Sequence, residues 1–299
     1  MRPAVAVAAL VATNGPTHPG GAVLLEQGVF VIETFQAASL HLANLANSVV
    51  DVDDTLSPGT AVVSVIGSAE SERAVTVGVD GGVLYVAGPE SGTVIAAGGG
   101  VNIVSGNARV GTMVGQVSGG MVQIGGSGIV ISGGSGEVIV NGRRINLDDM
   151  PQAPAPARVR VTVRTGTPVT IADTTIGSYR VGSTHGPLRV TGSATTVEAG
   201  SVGATRIRVQ GTGNVHITEV TGPRLSVSVS GTGCVVIDGG QVDDMAARVS
   251  GTGNLGFGGI VDGPAELEVS GVGHIAVNRV TGSVDRHTSG LGRITIHQC

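Results

Sequence analysis

The chain has 299 residues, enough for one or two domains with a buried core. It contains 51 glycines, two tyrosines, three phenylalanines and no tryptophan, yet Val and Ile abound and strict Gly-X-Y triplets are absent, which disfavours both collagen and disorder. All 17 basic residues are arginines and the formal charge is -5, so nucleic acid and anionic lipid are disfavoured as partners.

The N-terminal part gives few structural signals. Residues 1–12 (MRPAVAVAALVA) weakly resemble a signal peptide but lack a small-x-small cleavage site, and no run of 18 apolar residues predicts membrane insertion. Residues 1–70 are predicted to be a separate segment for attachment or oligomerisation. Apolar residues at helical spacing within 34–48 predict at most one short helix there. These residues are Phe35, Ala38, Leu42 and Leu45.

An acidic motif follows this segment. Val49–Leu56 (VVDVDDTL) resembles the DxDxT signature of haloacid-dehalogenase-type phosphatases, which would make Asp51 the nucleophile and Asp53 the acid/base group. Such enzymes need a βαβ sheet behind the loop and a cation, usually Lys, to balance the phosphate. The sequence indicates neither, so an acidic turn is the favoured interpretation.

Composition divides the rest of the chain. Residues 71–149 form a Gly-rich β region, for which solenoid and sandwich both remain open. Residues 150–158 (MPQAPAPAR) are predicted to be a Pro/Ala linker, because each proline forces its predecessor towards an extended conformation. Residues 159–299 contain β-solenoid repeats.

The repeat is V/T-x-G-x-G-x-h, where h is apolar. Its copies start 20, 20, 20 and 19 residues apart, and a weaker relative starts at Val190, 19 residues before the first. A period of about twenty residues with β-branched alternation predicts coils of two or three short strands joined by glycine turns. The five copies are Val209–Val215, Val229–Val235, Val249–Leu255, Val269–Ile275 and Thr288–Ile294.

The fold class predicted from these repeats is all-β, with a parallel β-solenoid in the C-terminal half that is right-handed by the usual crossover rule. Strand alternation places Val209, Val215 and Ile217 inward, and their polar neighbours outward. Stacking then aligns equivalent outward residues into ladders. The ladders are Gln210, Ser230, Ser250, Ser270 and Ser289 in one, and Asn214, Cys234, Asn254, His274 and Arg293 in the other.

These VSGTGN-type strands resemble the head GIN-domain family of auto-transporter adhesins, over about Val190 to Cys299. The resemblance implies a β-helical fold and no known enzymatic activity. A candidate binding surface follows from the ladders. It consists of Ser230, Thr232, Ser250, Thr252, Asn254, Ser270 and His274.

Cofactor and metal sites are not predicted. Gly251–Gly256 (GTGNLG) fits a dinucleotide fingerprint, but the motif is a repeat copy and no helix follows to hold a pyrophosphate. The turns lack the Asp of calcium-binding β-rolls. The array histidines are predicted to lie outward without a third ligand, and Cys234 and Cys299 form no zinc pattern.

The sequence therefore predicts a non-enzymatic structural or adhesive protein. The favoured setting is a phage virion, as a capsid decoration, tail or fibre component, and the alternative is a secreted bacterial surface adhesin at the cell surface. A carbohydrate-active enzyme is a second alternative, which requires Glu266, Glu268 and Asp285 to line one cleft. The expected partners are other copies of the chain, other structural subunits, or a cell-surface glycan or receptor.

Overall fold

A computed structural model describes residues 29–88 and 156–297 and, between them, the backbone of five short strands. The signal-like residues 1–12, most of the Gly-rich region and residues 150–155 of the predicted linker lie outside the described residues. The described fold is nearly all β, as predicted. Its elements are β1 Val29–Gln36, β2 Ser39–Ala43, β3 Asn47–Val52, β4 Thr60–Gly67, α1 Ala69–Arg73, β5 Thr76–Asp80, β6 Val83–Ala87, β7 Met113–Val114, β8 Gln123–Ile124, β9 Ile131–Ser132, β10 Glu137–Val140, β11 Arg143–Asn146, β12 Arg158–Val163, β13 Val169–Asp173, β14 Ser178–Val181, β15 Leu188–Gly192, β16 Thr196–Val202, β17 Thr205–Val209, β18 Asn214–Gly231, β19 Cys234–Gly251, β20 Asn254–Val261, β21 Ala265–Gly271, β22 His274–Val280, β23 Val284–Gly290 and β24 Arg293–Ile296.

Two columns of stacked strands make up the solenoid. Column I runs β5-β6-β2-β13-β15-β17, then the second halves of β18 and β19, then β21 and β23. Column II runs β1-β4-β12-β3-β14-β16, then the first halves of β18 and β19, then β20, β22 and β24. From β2 onwards every pairing in column I is parallel, which confirms the predicted stacked coils. The strands β7 to β11 form two small sheets of their own.

The predicted register is confirmed along the repeats. Val209, Val229, Val249 and Val269 pair in succession and are all buried, so one valine from each coil fills the same level of the core. The weaker copy is placed differently, because Gly192 rather than Val190 pairs with Val209. A shift of two residues leaves the inward and outward faces unchanged, since the side-chain period of a strand is two.

The predicted helix over 34–48 is wrong, because this stretch contains the end of β1, all of β2 and the start of β3. Leu40 and Leu42 are both fully buried, and this alternation is that of a strand. Strand pairing on both sides of β2 fixes the extended conformation, and Asn44 turns the chain with a φ of 51°. The one helix among the described residues is the short α1.

The segment 39–52 forms a coil of the array although more than a hundred residues separate it from the coil it contacts. Strand β2 pairs with β13, and β3 pairs with β14. The side chain of Tyr179 joins the two coils, because its buried hydroxyl accepts a hydrogen bond of 2.9 Å from the backbone N–H of Leu45. The domain boundaries proposed from the sequence stay predictions, but this pairing places part of segment 1–70 within the stack.

The two ends of the stack differ. At one end, the antiparallel pairs β1–β4 and β5–β6 follow the parallel strands. At the other end, β23 and β24 each pair on one side only among the described residues. There Arg286 and Thr288 occupy the inward positions of Leu267 and Val269, and both are exposed. Polar inward residues suit a terminal coil, which has no further coil to cover it. Pairing with another subunit at this edge stays a prediction.

The two glycines of each repeat allow the coils to approach closely at the corner. Gly251 has a φ of 126° and Gly271 one of 128°, a region that side chains disfavour. A Cβ at Gly251 would lie 2.6 Å from the carbonyl oxygen of Gly231 in the coil below. By contrast, a Cβ at Gly256 would meet no heavy atom within 4 Å. The third glycine of the GTGNLG motif is therefore not required by packing.

Substitution by alanine should affect stability differently at Gly251 and at Gly256. Gly251→Ala is expected to lower the free energy of unfolding by at least about 2 kcal/mol, because it adds both backbone strain and a clash. Gly256→Ala is expected to be neutral or to stabilise by up to about 1 kcal/mol. Urea unfolding followed by circular dichroism measures both. Equal losses in the two variants would contradict the corner role of Gly251.

The tyrosine at the coil junction predicts a loss of stability at alkaline pH. Burial raises the pKa of Tyr179, and the negative charge of Asp173 raises it further. A raised pKa in the folded state means that stability is complete below the ordinary pKa of about 10 and falls as the pH rises above it, by about 1.4 kcal/mol per pH unit. The absence of lysine leaves this pH range unusually free of other titrating groups.

Tyr179→Phe should remove that alkaline dependence. At neutral pH it should also cost about 1 to 3 kcal/mol, because the N–H of Leu45 loses its acceptor. Unfolding free energies measured between about pH 9.5 and 11.5 test the dependence. Identical slopes for the wild type and the Phe variant would show that Tyr179 is not its source.

Candidate functional site

The candidate surface predicted from the sequence lies at the corner where column I strands lead into column II strands. Ser230, Ser250 and Ser270 stack in register, as predicted, and are half-buried. The side chain of Ser230 makes a long hydrogen bond of 3.4 Å to the carbonyl of Val209. These contacts leave the serines as part of the wall, with little side chain free for a ligand.

The remaining residues of that surface are more accessible. Thr232, Thr252 and Asn254 are exposed, whereas His274 is half-buried and its Nε2 lies 3.0 Å from the Thr295 hydroxyl. The predicted ladder order of Cys234, Asn254 and His274 is confirmed by the pairing. A binding role for this corner stays a prediction.

A depression is present instead on the outward side of column I. The larger part has a volume of about 780 Å³ and the smaller, adjoining part about 230 Å³. We call it the column I trough and define it by the outward residues of four successive strands, β17, β18, β19 and β21, together with Arg189 of β15. Those outward residues are Arg206, Arg208, Ser226, Ser228, Ala246, Arg248, Glu266 and Glu268.

Small side chains form the floor of this trough. Ser226 and Ser228 pair with Arg206 and Arg208 on one side, and Ala246 follows Ser226 on the other. Neighbouring strands lie about 4.8 Å apart, so at the level of Arg206, where two short side chains separate two long ones, the walls of the groove are about 14 Å apart. At the level of Arg208 only Ser228 is short, because Arg248 follows it.

One wall of the trough is basic. Arg189 of β15 pairs directly with Arg206 of β17, and Arg208 lies two residues further on the same face. All three side chains are exposed, and no described carboxylate lies within 4 Å of their guanidinium nitrogens. Like charges directly opposite each other in a sheet are destabilising. This wall thus carries positive charge that the described part of the chain does not neutralise.

The other wall is acidic. Glu266 pairs with Asp285, and Glu268 lies between Arg248 and His287, both as the sequence predicted. The Arg248 guanidinium binds Glu268 with an N–O distance of 2.6 Å. Glu266 is exposed and faces the floor across from Arg206. The trough therefore presents positive charge on one side and negative charge on the other.

Sequence reasoning did not find this trough. The predicted binding surface lies in the glycine motif, which begins at Val209, directly after Arg208. The signal was present as the alternating TRIRV of β17, followed 20 residues later by LSVSV and again by MAARV. Extending the same register upstream places arginine, serine and alanine at one level of successive coils.

The acidic motif near residue 51 forms a turn, in agreement with the favoured interpretation. Asp51 pairs with Arg160 at 3.1 Å, and Asp53 accepts hydrogen bonds from the hydroxyl and the N–H of Thr55. Those two bonds lower the pKa of Asp53. Asp54 accepts from the hydroxyl and the N–H of Thr165. Asp54 thus holds the loop after β3 to the loop after β12, whereas Asp53 bonds within its own loop and Asp51 pairs across strands β3 and β12.

Two negative findings concern the described residues only. Within them, no group of three or more His, Cys, Asp or Glu side chains is arranged to hold a metal ion. Nor does that part of the chain contain a helix long and apolar enough to cross a membrane.

Comparison with known proteins identifies the family. Residues 132–298 match the family described as "Putative auto-transporter adhesin, head GIN domain". The chain belongs to this family. The match begins well before residue 190, where the resemblance was first placed, and it contains the whole trough. No curated protein sequence matches the chain.

Several solved structures are similar to this head GIN-domain protein. A "putative adhesin" from Parabacteroides distasonis has 11% identity and a TM-score of 0.49, covering 90% of this chain and 98% of its own. A "putative adhesin" from Bacteroides fragilis has 12% identity and a TM-score of 0.48, covering 90% and 97%. A "putative lipid binding protein" from Parabacteroides distasonis has 12% identity and a TM-score of 0.44, covering 91% and 98%.

The virion setting favoured from the sequence is not supported. The matched family is described by its adhesin domain, not as a capsid, tail or fibre component. The adhesin alternative is the better supported of the two. The head GIN-domain match thus covers the repeat array that the sequence pattern defined.

The charge arrangement of the trough predicts that substitutions of two of its arginines change stability differently. Arg206→Gln should be neutral or slightly stabilising, because it removes a like-charge neighbour of Arg189. Arg248→Gln should cost up to about 1 kcal/mol, because it breaks a partly exposed ion pair with Glu268. Thermal unfolding at low and high salt measures both. A larger loss for Arg206→Gln than for Arg248→Gln would contradict the assignment of the basic wall.

Proposed function

We propose that the chain is a non-enzymatic adhesive β-solenoid displayed at the surface of a bacterial cell, and that the column I trough is its contact surface. The observation that carries the proposal is a groove of about 780 Å³ with a basic and an acidic wall, on a face that the described part of the fold leaves open. Membership of the head GIN-domain family, described as an adhesin domain, supports it.

The construction of the trough suits binding without chemical turnover. Its floor and walls lie on paired strands of the stack, so the backbone beneath each side chain is fixed by hydrogen bonds to the coils on both sides. A site on regular strands is held more firmly than one on loops. Binding can therefore select a ligand by charge and shape at little cost in ordering the protein.

The enzyme alternative requires three carboxylates that lie close together, and these residues do lie close together. Glu266 and Glu268 line the same part of the trough, and Asp285 pairs with Glu266. Glycoside hydrolysis requires one carboxyl group as a proton donor and a second as a base or nucleophile. Glu268 is instead bound by the Arg248 guanidinium at 2.6 Å. These contacts support our proposal that the acidic wall binds ligands and does not cleave them.

Blocking the floor should abolish adhesion. Ser226→Tyr fills the trough. Ser178→Tyr is the control, because it places the same side chain at an exposed position of a column II strand. Labelled protein is applied to wells coated with mucin, collagen or bacterial cell-envelope polysaccharide. We expect the wild type and Ser178→Tyr to be retained on at least one coating, and Ser226→Tyr to be lost.

Two kinds of result would contradict the proposal of adhesion without catalysis. The first is equal retention of the two tyrosine variants, or no retention of the wild type on any coating. The second is release of reducing ends from a coating polysaccharide that Glu266→Gln abolishes, which would establish an enzyme. Protease treatment of intact cells of the encoding organism tests the location, and protection of the chain would exclude surface display.

A further inference from the structure

The basic wall of the trough brings together three arginines that have no ion pair with a described carboxylate. Arg224 and Arg248, which also line the trough, are each bound to a carboxylate, by Asp244 at 3.0 Å and Glu268 at 2.6 Å. Arg189, Arg206 and Arg208 have no such partner among the described carboxylates. In a protein of formal charge -5, three adjacent exposed guanidinium groups without one indicate a function that outweighs their mutual repulsion.

The geometry of this wall fits an oxyanion with more than one contact. Arg189 and Arg206 are directly opposite each other, about 4.8 Å apart at the backbone, and Arg208 is about 7 Å further along the strand. Guanidinium groups at these spacings can each donate two parallel hydrogen bonds to a carboxylate or sulfate. The hydroxyls of Ser226 and Ser228, next to them on the floor, can donate to or accept from ligand hydroxyls.

The acidic wall limits how far negative charge can extend. Glu266 and Glu268 lie three strands from the basic wall, and Asp285 lies one strand beyond. A polymer with a charge on every unit, such as nucleic acid, would meet repulsion there. A neutral stretch of ligand crossing the floor would instead offer hydroxyls that donate hydrogen bonds to these carboxylates. The spacing of charge in the ligand is therefore set by the distance between the walls.

Stacking on a sugar ring is not available in the trough. The chain contains no tryptophan, and none of its tyrosines or phenylalanines lines the groove. Recognition of an uncharged sugar face normally relies on such rings, whereas recognition of an acidic group relies on charge-assisted hydrogen bonds. The arginines of the trough supply the second kind of contact.

We propose that the trough binds an acidic polysaccharide in which units bearing a carboxylate or sulfate alternate with neutral units. The acidic unit lies against Arg189, Arg206 and Arg208, and the neutral unit crosses the serine floor towards Glu266. This inference rests on the proposed adhesive function and names its ligand class. It also explains why Arg206 and Glu266 face each other across the two small residues Ser226 and Ala246, without an ion pair between them.

The test uses the full chain and four immobilised polymers. Hyaluronan carries one carboxylate per disaccharide, κ-carrageenan one sulfate per disaccharide, dextran is neutral, and double-stranded DNA is charged at every unit. The variants are Arg206→Gln/Arg208→Gln, Arg189→Gln and the control Arg158→Gln, which removes an exposed arginine from column II. Surface plasmon resonance at several salt concentrations gives each affinity.

We expect wild-type binding to hyaluronan or κ-carrageenan that weakens with salt, and the better of the two identifies the acidic group. Each lost guanidinium contact should weaken binding about tenfold, so the double variant should bind about a hundredfold more weakly. Arg158→Gln should bind as the wild type does. Unfolding midpoints no lower than that of the wild type show that the losses are not due to misfolding.

Three outcomes would overturn the inference. One is binding to dextran that equals binding to the acidic polymers, and another is an unchanged affinity in the double variant. The third is tighter binding to DNA through the same arginines, which would indicate a nucleic-acid surface. If the double variant still adheres to the coated wells while Ser226→Tyr does not, the adhesive function stands and only the ligand class is wrong.

Discussion

The close approach of one coil to the next at the glycine corner is the constraint on which this structure depends. Parallel strands in register must lie about 4.8 Å apart, and the turn between the two columns must keep the same spacing. Gly231, Gly251 and Gly271 satisfy it, because each adopts a φ that side chains disfavour and lies against the carbonyl oxygen of the coil before. With this corner fixed, both columns can keep one register over successive coils.

That register produces the core and the trough together. In β17 the sequence Thr205–Val209 alternates strictly, so burying Ile207 and Val209 necessarily presents Arg206 and Arg208 outward. At the level of Arg206 the next three coils place Ser226, Ala246 and Glu266, whereas at the level of Arg208 they place Ser228, Arg248 and Glu268. The groove is therefore a local variation in side-chain size on an otherwise regular surface, and it needs no irregularity in the backbone.

The sequence alone was sufficient where the signal is local and repeated. The valine ladder, the serine ladder and the neighbours of Glu268 all follow from a period of about twenty residues and the two-residue alternation of strands. It was insufficient for residues 34–48, where Phe35, Leu42 and Leu45 fit a helix as well as a strand. Contacts with β13 and β14, which are more than a hundred residues away, decide that stretch. Local propensity contains no information about such a partner.

The trough was missed for a different reason, since its residues are as regular as those of the glycine corner. All 17 basic residues are arginines, so composition does not distinguish the three in the basic wall from the other fourteen. Within the trough, the residue at the same level in the next coil makes the difference, since it is Asp244 for Arg224 and Glu268 for Arg248, but serine for Arg206 and Arg208. In a solenoid, unneutralised charge is defined by comparison between coils, and binding surfaces are best sought where a ladder of ion pairs is interrupted.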